Sequence, residues 1–87
     1  MEEVTLRQLV TEVCGEATEG EYRVRDGDSA TVLLNVRTGL EPVEEVQRIR
    51  ITPGFVVVST REATYWVGAE HVLGLRVRQA PRGGAGF

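Results

Sequence analysis

The sequence predicts a mainly β fold, with one amino-terminal amphipathic helix followed by five to six short antiparallel strands. Three observations carry this. Residues 46–78 hold most of the continuous apolar, β-branched sequence, and apolar residues alternate with arginines at both ends of that stretch. Turn signals recur at short intervals between the apolar runs, at Asp26-Gly27, Pro53-Gly54 and residues 68–71. Near the amino terminus the period changes to that of a helix, with Leu6, Leu9, Val10, Val13 and Cys14 spaced to share one face.

That helix is expected over residues 5–14. Thr5 is placed as N-cap, Gln8 completes a capping box, Val4 can staple against Leu9, and Gly15 suits the left-handed position past the end. So short a helix persists only when its apolar face is docked on the sheet or on another subunit. Residues 16–21 read as a polar connector. Tyr22 and Val24 then alternate with Arg23 and Arg25 in a first strand, and Asp26-Gly27 predicts a hairpin into a return strand over residues 28–37. In the return strand Ala30, Val32, Leu34 and Val36 share a face.

Residues 38–45 combine a glycine, a proline and three acids, and read as a loop or an interrupted edge. The next strand, 46–52, points Ile49 and Ile51 inward and Arg48 and Arg50 outward. Pro53-Gly54 fits the centre of a type II turn, and 55–60 follows as a strand whose three consecutive valines suggest burial on both faces. After a short reversal at 61–63 comes 64–67, then a tight turn at 68–71 and a last strand over 72–78 with Leu73, Leu75 and Val77 on one face and a bend at Gly74. Ile49, Ile51, Phe55, Val57, Leu73, Leu75 and Val77 form the expected surface under the helix. The expected domain is 1–79, with 80–87 as a disordered tail.

A chain of 87 residues buries a small core, so a partner chain would add materially to its stability. Cys14 is the only cysteine and no disulfide can form within one chain, no signal peptide is visible, and no run of about 18 apolar residues is present. The expectation is a cytoplasmic protein that does not associate with membranes. All ten basic residues are arginine, as a base-composition bias in the source genome would produce. The net charge of −3 is unevenly spread. Residues 1–21 carry six Glu against one Arg, whereas residues 46–87 carry six Arg against two Glu. Such a split either provides a basic face for a polyanion or lets the acidic amino-terminal segment lie across the basic sheet.

The layout of one helix and five or six strongly bent strands is that of the small SH3-like and Sm-like barrels. Across residues 5–78 the chain resembles the Sm-like family that includes bacterial Hfq. The residues that carry the resemblance are the helix TLRQLVTEVC, the strand ATVLLNVRTG, the apolar PGFVVVS after a turn, and the ending TYWVGAEHVLGL. The resemblance implies a small barrel and a tendency to form rings by strand pairing. It does not extend to the family's RNA-binding residues. Pro53-Gly54 stands where the family has an Asp-Asn type pair, and Tyr65-Trp66-Val67 stands where Hfq-like proteins carry a basic, histidine-containing motif.

The candidate binding residues are Arg48, Arg50, Arg76 and Arg78, spaced by two on two strands, with Arg23, Arg25 and Arg37 on others. On neighbouring strands their guanidinium groups would line up to hold phosphates, and otherwise they pair with Glu across the sheet. Tyr65 could add a stacking surface, while Trp66 is expected in the core. His71 and Cys14 stand alone on distant elements and imply no metal site, and Ser29 and Ser59 lie in no activating motif. Asp26-Gly27-Asp28-Ser29 resembles the start of a calcium loop but lacks the later ligands. The expected protein is therefore a non-enzymatic binding module without cofactors, a homo-oligomer contacting nucleic acid or another polyanion. The alternative is a protein-interaction or assembly subunit that binds no nucleic acid.

Overall fold

The computed structural model describes residues 1–80. A helix, α1 (Glu3–Cys14), precedes seven strands: β1 (Glu21–Arg23), β2 (Ser29–Val36), β3 (Gly39–Val43), β4 (Val46–Thr52), β5 (Phe55–Thr60), β6 (Thr64–Gly68) and β7 (Val72–Arg78). A single 3-10 turn, Ala69–His71, joins the last two strands. The strands form two antiparallel sheets, one of order β1-β4-β5-β6 and one of order β3-β2-β7. The mainly β class and the amino-terminal helix are as expected. Among the described residues there are seven strands, and the two sheets share no ladder, so these residues form no closed barrel.

The helix begins two residues earlier than expected, and no capping box forms. Glu2 is the N-cap without a side-chain bond. The first turn is held instead by charge: Arg7 Nε lies 2.9 Å from Glu3 Oε2, and Arg7 Nη2 donates to the carbonyl of Ile51 at 2.9 Å. That carbonyl lies beyond the end of the three-residue β1, so the guanidinium takes the place of a strand partner. The hydrogen bond to Glu3 also raises the Arg7 pKa. Only Leu6 and Val10 are fully buried on α1; Val4 and Leu9 stand exposed and make no staple. Gly15 closes the helix at φ +86° with its N–H on Thr11 O, as expected.

The Asp26-Gly27 reversal forms, with the Asp28 N–H on Arg25 O, yet the two strands it joins do not pair. β1 pairs with β4, whereas β2 pairs with β3 and β7. Val24 continues along β4 through a bond to Gln47 O, so the turn carries the chain from one sheet to the other. The stretch expected as loop or edge is the edge strand β3, joined to β2 by a tight turn in which Val36 faces Gly39. Pro42 is tolerated there because an edge strand needs no second ladder.

From β4 to β5 the structure follows the expected boundaries, with Thr52 opposite Phe55 and Gly54 at φ +89°. On β7 a bulge changes the parity: Leu33 faces Gly74 and Leu34 faces Val72, which leaves Leu73 unpaired and 52% exposed while Val72 is buried. Phe55 and Val57 also leave the expected core surface, since they face Thr52 and Arg50 on the outer side of the sheet.

The buried residues form one cluster drawn from both sheets and the helix, including Leu6, Val10, Tyr22, Val32, Ile49, Val56 and Val58. α1 packs on β1, β4 and β7, and β2 meets β4 where the sheets face one another. Ala80, expected in the tail, is tied to the domain by its N–H on Asp28 Oδ1 at 2.9 Å. The rest of the expected tail, 81–87, lies outside the described residues. Among the described residues no helix is long and apolar enough to cross a membrane.

Candidate functional site

Strand alternation gives the four-stranded sheet two unlike faces. Ile49 and Ile51 turn inward, so Arg48 and Arg50 turn outward. The ladder then sets their neighbours. Arg50 faces Glu21 on one side and Val57 on the other, and Val57 faces Trp66. Arg48 faces Arg23 and Ser59, and Ser59 faces Thr64. One outer surface thus carries three arginines at one end and Trp66, 69% exposed, at the other, with Phe55 and Val57 between them.

Glu21 sits among the arginines. Its Oε1 is 3.4 Å from Arg23 Nε, and its Oε2 is 3.8 Å from Arg48 Nη1 and 4.0 Å from Arg50 Nη2. Glu21 ends the acidic amino-terminal segment, so part of that segment does meet the basic sheet of its own chain. One carboxylate cannot neutralise three guanidinium groups, and with Glu19, which lines the same depression as Glu21, Arg23 and Arg50, the cluster retains a local charge of about +1. The pairs are long and the arginines exposed, so each contributes at most about 1 kcal/mol to stability. Donors remain free to turn toward another anion.

The expected four-arginine row does not form. Arg76 and Arg78 lie on β7, opposite Thr31 and Ser29 in the other sheet, and β7 does not pair with β4. They border a depression also lined by Glu44, Glu45 and Glu62, where carboxylates outnumber them. Tyr65 faces Val58 on the inner side of its sheet, away from Arg48 and Arg50. Trp66, expected in the core, takes the place on the arginine face that the sequence reading assigned to Tyr65. No local pattern signals this: it follows from the register of β6 against β5, which sets Trp66 opposite Val57 on the outer face. Arg37 lies in the exposed turn between β2 and β3 and joins neither group.

No family model, no curated protein and no solved structure matches this chain. The chemistry of the face is therefore carried by its own residues. Elsewhere, Cys14 is half-buried against the core; burial pushes its thiol pKa up, and Arg25 opposes that only in part. A raised thiol pKa disfavours the nucleophilic thiolate. His71 Nδ1 lies 3.2 Å from Asn35 O and its Nε2 3.8 Å from Glu70 Oε2, on a different element from Cys14. Among the described residues no three His, Cys, Asp or Glu side chains converge as metal ligands. Asp28, in the segment that resembles a calcium loop, spends Oδ1 on the Ala80 N–H.

Proposed function

We propose that this chain is a non-enzymatic binding module that contacts nucleic acid or another polyanion through Arg23, Arg48 and Arg50 on the outer face of the four-stranded sheet. The observation that carries the reading is three guanidinium groups sharing one carboxylate on an exposed surface that also holds Trp66. Guanidinium groups bind phosphate through paired donors, and an exposed indole offers a face on which an unpaired base can stack. Arg76 and Arg78 take no part in this reading, because they lie on the other sheet, beside a depression also lined by Glu44, Glu45 and Glu62. An Sm-like or SH3-like small barrel that forms a homo-oligomer is the architecture we favour. Two features support it: the long β2 pairs with the final strand β7, and one 3-10 turn separates the last two strands.

The test uses the only tryptophan of the chain, Trp66, as its reporter. Titration with a short single-stranded oligonucleotide at low salt is expected to change the indole fluorescence. The affinity should fall with salt at a log–log slope of about −2, for two to three neutralised phosphates. Absence of binding at low salt overturns the reading. Glu21→Gln sharpens the test, since it removes the carboxylate that competes for all three arginines. Affinity is expected to rise about fivefold while the urea midpoint moves by no more than about 1 kcal/mol equivalent. Unchanged or weaker binding in that variant would mean that the ligand does not use these arginines.

A further inference from the structure

The outer edge of the four-stranded sheet supports an inference independent of the polyanion reading. Sheet edges present unpaired main-chain donors and acceptors, and proteins usually guard them with charge, proline, bulges or brevity. Three of the four edges here are guarded in that way. β1 has three residues, β3 contains Glu41 and Pro42, and β7 carries the bulge at Leu73 together with Arg76 and Arg78. β6, Thr64-Tyr65-Trp66-Val67-Gly68, has no charge, no proline and no bulge. Among the described residues no strand pairs with its outer side.

The direction of its main-chain groups follows from the two ends of the hairpin. The Thr60 N–H donates to Ala63 O at one end, and the Ala69 N–H donates to Gly54 O at the other. Between them bonding alternates, so Tyr65 and Val67 bond to β5 while the N–H and C=O groups of Thr64, Trp66 and Gly68 point outward. Trp66 is the middle residue of the strand.

We infer that β6 pairs antiparallel with β6 of a second copy of this chain, about a two-fold axis at Trp66. The strand matches itself in this register. Thr64 comes opposite Gly68 of the second copy, Tyr65 opposite Val67, and Trp66 opposite Trp66, with roughly six main-chain hydrogen bonds formed. No like charges meet, because the strand has none. The exposed Trp66 becomes half of a cross-strand aromatic pair, and Tyr65, 41% exposed in one copy, is covered by an apolar neighbour. The result is one eight-stranded sheet with both arginine clusters on the same face. The clusters lie about 24 Å apart across five strand spacings, and each copy contributes its Trp66 to the surface between them.

Light scattering on a sizing column at tens of micromolar should give about twice the 9.6 kDa chain mass. The mass should be the same at low salt and in 1 M salt, which separates this interface from the salt-sensitive polyanion binding. Trp66→Arg, at an exposed position, is expected to restore the monomer by placing two guanidinium groups face to face. Register is tested by oxidation in a Cys14→Ser background. Trp66→Cys should crosslink two copies, because directly opposed Cα atoms lie about 5.5 Å apart, within disulfide reach. Thr64→Cys, on the same edge but two residues from the axis, should not. A strict monomer at these concentrations, a dimer that survives Trp66→Arg, or equal crosslinking at the two positions overturns the inference. Failure of polyanion binding with the dimer intact would leave it standing.

Discussion

Ile49→Ala is expected to lower the free energy of unfolding by about 2–5 kcal/mol. Ile49 is 2% exposed and occupies the middle of an inward row running Tyr22, Ile49, Val58, Tyr65 across the four-stranded sheet. Truncation removes three carbons from a site where the two flanking strands are fixed by their ladders, so the neighbours cannot close the gap by moving independently. A domain of this size has a total stability of about 4–13 kcal/mol at the usual value per residue. The loss therefore consumes a large share of it. Urea unfolding should show a lower midpoint at unchanged slope. Val57→Ala, one strand away on the outer face and half-buried, serves as the contrast and should cost about 1 kcal/mol. Equal costs at the two positions would mean that the faces of this sheet have been assigned wrongly.

Arg48→Ala combined with Arg50→Ala is expected to weaken polyanion binding by about ten- to a hundredfold at low salt and to flatten the salt dependence by about two phosphates. The two side chains are neighbours on the outward face of β4 and share Glu21. Their removal leaves Arg23 alone with that carboxylate, and the local excess of positive charge disappears. Fold stability should change little, because both side chains are exposed and their ion pairs are long. Arg76→Ala combined with Arg78→Ala removes the same formal charge from the other sheet. It should leave binding within about threefold, the residue of a long-range field screened over a Debye length. The comparison separates a site from mere net charge.

The parts of this fold that were legible in the sequence are those whose evidence is local. Alternation along 46–52, the Pro53-Gly54 turn and the run 55–60 yield β4 and β5 at their observed boundaries, because turn geometry and strand period are properties of adjacent residues. The helix was visible for the same reason. Its first turn was not, because Arg7 is anchored to Ile51 O, a partner 44 residues away. Asp26-Gly27 reads correctly as a reversal, yet a reversal does not say which strands pair. Tyr22 on β1 is drawn to Ile49 rather than across the turn. A bulge of one residue at Leu73 inverts the reading of a whole strand end.

The arginines divide along the same line. That Arg48 and Arg50 point outward follows from period two. That Arg76 and Arg78 belong to another sheet depends on β7 pairing with β2, which no local pattern encodes. Glu21, the one carboxylate that organises the cluster, sits at the end of a segment read as a polar connector, and only the β1–β4 register brings it to Arg50. Trp66 was assigned inward on the general habit of aromatic residues, and the register of β6 against β5 overrides that habit.

The central claim is that the outer face of the four-stranded sheet is the binding surface, and mapping of backbone amide and indole NMR shifts during titration with a short single-stranded oligonucleotide tests it most directly. Perturbations gathered at residues 21–23 and 48–50, together with the Trp66 indole N–H, are the expected result. Perturbations centred on Ser29, Thr31, Arg76 and Arg78, with residues 48–50 unmoved, would contradict it.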